Sequence, residues 1–127
     1  MLKIKMKLRT TLLSLIAITS ITTTYAEQLN QEEFNKRVEI SLLMSKILGD
    51  KVTNAAATKS NDTEETIKNL CFYKSTVQGL LDLSIENIEL EGAIRIIKEA
   101  GAEVKHIENM FTDAGSTYFQ TCKGYTL

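Results

Sequence analysis

None of the 127 residues is proline. Helices exclude proline from their interiors, whereas extended loops and all-β folds commonly use it. Its absence constrains the fold because apolar residues also recur at helical spacing along most of the chain. Four stretches carry that spacing. In the first, from Asn30 to Leu48, Asn30 and Glu33 form a capping-box pattern, and Phe34, Val38, Leu42, Ser45 and Leu48 make a stripe with Leu43 and Ile47 beside it. Gly49 reads as a C′ stop. The polar run Asp50 to Asn61 is then expected to be a loop, long for a compact helical domain, although Asn54 to Ala57 could add a turn. The second helix is expected over Thr63 to Leu83, with Asp62 and Glu65 as a cap pair. It places Ile67, Leu70, Cys71, Val77, Leu80 and Leu81 on one face, with Phe72 and Tyr73 at its margins.

The third helix should start near Ile85 or Ile88, capped by Ser84 or Asn87, and stop at Gly101. It is expected to bury Ile88, Ala93, Ile94 and Ile97. The fourth runs from Glu103 to Thr121 through Val104, Ile107, Phe111, Ala114, Tyr118 and Cys122. Gly115 is a weak point that should split it near Asp113. The fold class these patterns predict is all-α, a small bundle of four to five helices.

The first 26 residues follow a different plan. Lys3, Lys5, Lys7 and Arg9 form a positive segment without acids, Leu12 to Ile21 form a short apolar core, and Thr24-Tyr25-Ala26 closes it. This is the layout of a secretory signal peptide, expected to be cleaved after Ala26. The apolar core falls well short of the roughly 20 residues that span a bilayer. The basic start and Thr-rich end point to a bacterial periplasm. The expected organisation is therefore a signal peptide, 1–26, and a single helical domain, 27–127, with no membrane association after cleavage. Four of the 15 Lys and Arg lie in the signal and none of the 16 acids do, so residues 27–127 carry a net charge of −5. That balance argues against nucleic acid, which needs clustered positive charge. It favours a partner with a basic surface.

A domain this small buries a marginal core, and in an oxidising compartment it gains from a cross-link. Cys71 and Cys122 are the two cysteines. They most economically form one disulfide, holding the C-terminal end onto the bundle. A redox-active pair fits poorly without Cys-x-x-Cys, and a metal site fits poorly with His106 as the sole histidine, so no cofactor or metal is expected.

Catalytic constellations are equally hard to assemble. His106 lies among Lys105, Glu103 and Glu108, a solvated edge by spacing. Ser116 in DAGST lacks the second glycine and the preceding strand of a nucleophile elbow. Carboxylate pairs such as Glu32-Glu33 and Glu64-Glu65 sit at helix starts, where caps and the macrodipole explain them. The residues read here as partner-binding are Asp50, Lys51, Asn54, Lys59 and Asn61 of the polar loop, with Tyr73 and Tyr125 as aromatic anchors.

In plan, the chain resembles the small all-helical periplasmic immunity proteins of type VI secretion, and among them the amidase-immunity group. The stretches that carry the likeness are the cysteine-bearing NLCFYKSTVQGLL and the terminal YFQTCKGY. The resemblance implies a non-enzymatic protein, able to form a homodimer, that binds and inhibits a cognate secreted antibacterial toxin, expected to be a cell-wall hydrolase. It carries over no individual inhibitory residue. The alternative is a periplasmic acid-stress chaperone or other small helical binding protein, since such chaperones are also short, helical and singly cross-linked.

Overall fold

The computed structural model describes residues 28–58 and 63–125, so residues 1–27, including the expected signal peptide, lie outside the described residues, as do Lys59, Asn61 and Asp62. The fold is all-α. Three long helices, α1 (Gln31–Ala57), α2 (Thr63–Glu86) and α3 (Ala93–Asp113), are followed by a short terminal helix α4 (Tyr118–Thr121). No strand occurs among the described residues.

Helix α1 starts as its sequence dictates. The Asn30 side chain accepts from the Glu33 amide at 2.9 Å, and the Glu33 carboxylate accepts from the Asn30 amide at 3.3 Å. This reciprocal pair satisfies two of the amides that a helix start leaves open. The helix does not stop at Gly49 but continues to Ala57, which removes the expected loop from Asp50 onward. Gly49 faces the Tyr73 ring, and a Cβ there would lie 3.4 Å from Tyr73 Cε2, an ordinary contact distance. The last turn is the alanine run Ala55 to Ala57, a strong helix former, and the Thr58 amide closes the end onto the Asn54 and Ala56 carbonyls.

Two more expectations are corrected at the far end of α2. That helix extends through Ser84 to Glu86, and Ser84 is buried with its hydroxyl donating to the Leu80 carbonyl. Asn87 does not cap the next helix. Its Oδ1 accepts from the Leu29 amide at 2.9 Å while its Nδ2 donates to the Leu83 carbonyl. The N-cap of α3 is Gly92, at φ +86, a left-handed turn that suits glycine. Gln31 ties this turn to α1, its amide nitrogen donating to the Glu91 carbonyl and its Oε1 accepting from the Glu91 amide.

Helix α3 passes through Gly101, merging two expected elements. Its buried face is Ala93, Ile96, Ala100, Val104, Ile107 and Phe111, a regular helical stripe. Ile94 and Ile88 are instead more than half exposed. The break near Asp113 is present: α3 ends there, and Gly115 turns the chain at φ +80.

Each junction is antiparallel. Leu29 meets Asn87 at one end of α1 and α2, and Gly49 meets Tyr73 toward the other. Gly101 faces Leu81, and Glu103 faces Tyr73. The order is up-down-up, with α1 and α3 each packed along α2 and not along one another. Two apolar clusters result. Phe34, Val77, Leu80, Ile96 and Val104 centre one, and Cys71, Ile107, Phe111 and Cys122 the other. Tyr73 packs against both.

The disulfide joins Cys71 and Cys122 with a Cα–Cα distance of 5.6 Å, pinning the segment after α4 to the middle of α2. Beside it, Lys74 is buried, although lysines almost never are. Its Nζ reaches Gln78 Oε1 at 3.2 Å and Glu108 at 3.5 Å, and lies 4.1 Å from the Tyr118 ring centroid. Phe111 meets Tyr118 edge to face. The C-terminal turn is thus held by a covalent bond, a cation–π contact and an aromatic pair.

Candidate functional site

Because α1 and α3 both pack chiefly on α2, a groove opens between them. Its floor is Tyr73, Val77 and Leu80 of α2, its apolar walls Val38 and Leu42 of α1 and Ile96 and Ala100 of α3. The groove, open on one side, holds about 240 Å3. It continues toward Phe34 and Gly92 at the N-terminal ends of both walls. Leu42, read as core from its stripe, is 53 % exposed, because the neighbour its position anticipates is not there.

Charges line the rim. Glu39 lines it from α1, Glu91 from the turn before α3, and Arg95, Glu99 and Glu103 from α3 itself. At one end the Tyr73 hydroxyl donates to Glu103 Oε1 at 2.9 Å. Burial, the hydrogen bond to Glu103 and the charge of that carboxylate push the phenol up to about 12. Tyr73 therefore stays a neutral donor at all ordinary pH. It fixes Glu103 at the mouth of the groove, and can present it to a positively charged group.

The other residues read as partner-binding lie elsewhere. Asp50, Lys51 and Asn54 are exposed on the last turns of α1, a helix where a loop was expected. Asp50 is held by Lys46 at 3.1 Å. Lys51 lines a polar cleft of about 490 Å3 with Glu64, Glu65, Lys68 and Phe72. Tyr125 joins that neighbourhood, its hydroxyl donating to Glu64 Oε1 at 3.3 Å. Desolvation, with the Glu64 carboxylate adding to it, raises this phenol too. Lys51, Asn54 and Tyr125 thus lie near the first turns of α2, whereas Tyr73 belongs to the groove. Lys59 and Asn61 lie outside the described residues.

A second apolar surface lies on the back of α1. Ile40, Leu43, Met44 and Ile47 share one side of the helix, opposite its packed side, and are between 42 % and 59 % exposed. Sequence reading placed Leu43 and Ile47 beside the core and overlooked the groove residue Ile96. Both errors come from apolar residues on more than one side of a helix, where spacing alone offers two faces. Lys74 was overlooked although it sits three residues from both Cys71 and Val77, on the packed face.

Among the described residues, no group of three or more His, Cys, Asp and Glu is placed to hold a metal ion, and no helix is long and apolar enough to cross a membrane. His106 is exposed. No protein-family model matches the chain, and comparison with curated proteins and with solved structures found no match either.

Proposed function

We propose that this is a periplasmic immunity protein that binds a cognate secreted antibacterial toxin, a cell-wall hydrolase, and blocks it without chemistry of its own. The observation that carries the reading is the open apolar groove between α1 and α3, floored by Val77 and Leu80 and rimmed by carboxylates. An apolar centre with a charged rim is the anatomy of a protein-binding surface. The disulfide is compatible with an oxidising compartment. The net charge of −5 over residues 27–127 suits a basic partner, whose approach it would accelerate. Calorimetric titration with the product of the neighbouring reading frame tests the proposal. Nanomolar binding with loss of that product's hydrolase activity supports it, and no binding to any neighbouring secreted protein removes it.

One observation favours a second reading, a periplasmic chaperone. The four-residue stripe on the back of α1 exposes apolar surface of the kind that captures unfolded clients. In that case, acidification to about pH 2–3 increases apolar dye binding and client protection together. An immunity protein protects no clients under those conditions.

A further inference from the structure

We infer that the groove between α1 and α3 is the seat of one amphipathic helix of a partner, basic along its flanks, which inserts as the missing fourth member of the bundle. This rests on the reading of the protein as a binding module and adds the chemistry and geometry of what it binds.

Three features of the groove carry the inference. The first is shape. Helices α1 and α3 each run antiparallel to α2, so they point the same way on the two sides of the groove. A helix is the element that packs into such a groove with interdigitating side chains. From Gly92 to Glu103 the α3 wall is about 16 Å long at 1.5 Å per residue, or three turns. An occupant running opposite to α1 and α3 completes an up-down-up-down bundle and sets its macrodipole against theirs.

The second feature is the apolar lining. Val38, Leu42, Ile96 and Ala100 form the walls, and the exposed Leu42 has the position of a core residue awaiting a neighbour. Ile96 and Ala100, like Val77 and Leu80 beneath them, are already buried, so Leu42 and the half-buried Val38 supply the apolar contact open to an incoming helix. The third feature is charge. Glu39, Glu91, Glu99 and Glu103 border the groove against the single cation Arg95. Glu99 lies one turn from both Arg95 and Glu103, so the α3 edge presents mostly negative charge along its length. An occupant with Lys or Arg on both sides of its apolar stripe matches that rim. An anionic bilayer surface does not.

The chain contains no tryptophan, so a peptide carrying one reports binding by its own fluorescence. The probe is a synthetic helix of about 14 residues, with leucines on one stripe, lysines on both flanks and one tryptophan. A twin has every lysine replaced by glutamate. With the disulfide-bonded protein, the lysine peptide is expected to bind with a micromolar Kd that weakens as salt rises. The glutamate peptide is expected to bind at least about tenfold more weakly. Leu42→Lys, on the exposed wall of the groove, should lower affinity at least about tenfold with the helical circular dichroism unchanged. Leu43→Lys, one residue on but facing the back of α1, should leave it unchanged.

Equal binding of the two peptides, binding of neither, or equal losses from Leu42→Lys and Leu43→Lys would each overturn the inference. The two readings fail separately. Inhibition of the neighbouring toxin without peptide binding leaves the immunity role and removes the helix-in-groove mode. Peptide binding through Leu42, with no toxin inhibited, does the reverse.

Discussion

Replacing Cys71 and Cys122 together by alanine isolates the contribution of the cross-link. The bond closes a loop with a sequence separation of 51. For a loop of that length the chain-entropy relation gives about 4 kcal/mol at 25 °C, through restriction of the unfolded chain. Both cysteines are buried, at 0 % and 2 % exposure, against Ile107 and Phe111. Truncating two packed sulfurs adds a cavity contribution on the order of 1 kcal/mol. Small domains are stable by about 5–15 kcal/mol in total, so this loss is a large share of what holds the fold. At about 4–8 °C per kcal/mol, the melting temperature should fall by roughly 20–40 °C. Urea unfolding followed by far-UV circular dichroism, compared between native and double-variant protein, reads the difference directly. The double variant should also show a larger m-value, because its unfolded chain is freed of the loop and exposes more surface. Helices α1 to α3 should remain formed below the transition, since their packing lies mainly in the other cluster, around Phe34 and Val104. A loss below about 1 kcal/mol with an unchanged m-value would refute the reasoning, because neither the loop constraint nor the buried packing would then be acting.

Other perturbations have defined outcomes. Lys74→Ala should cost about 2 kcal/mol by removing buried stem packing, the Tyr118 cation–π contact and the Glu108 pair, whereas Lys74→Met, keeping the stem, should cost about half that. Equal losses in chemical denaturation would show that packing of the stem is unimportant. Spectroscopic titration of the tyrosines should show one phenol ionising near pH 12, absent in Tyr73→Phe. Because its folded value is raised above the ordinary 10.0, the stability it contributes is complete below pH 10 and is lost as pH rises through about 12. A Tyr73→Phe protein that loses stability over that window as steeply as the parent would contradict this assignment. Gly79→Ala should stabilise by about 0.5–1 kcal/mol, since Gly79 is exposed in the middle of α2 and a Cβ there meets nothing within 4 Å. A lower thermal midpoint would count against it.

Much of the fold was legible in local chemistry. The Asn30–Glu33 box starts α1, Gly115 ends the long run of α3, and both cysteines fall on packed faces. These features involve residues close in sequence, or an oxidation that two thiols in one domain make economical. The glycine stops at Gly49 and Gly101 were misread. A glycine serves as a helix stop where the chain turns left-handed, and neither Gly49 nor Gly101 does so, whereas Gly115 does. Extending α1 by two turns converts Asp50, Lys51 and Asn54 from loop tips into a helix surface.

The sequence by itself therefore determined the helical class, the capping box of α1, the turn at Gly115 and the pairing of Cys71 with Cys122. Only the tertiary structure decided which apolar side of α1 and of α3 became core. Runs such as Leu42-Leu43-Met44 and Ile94-Arg95-Ile96-Ile97 offer hydrophobic surface in several directions. Periodicity records where apolar groups lie around one helix, but burial depends on where the next helix arrives. The groove follows from the same cause: α1 and α3 both found α2 and left the space between them open.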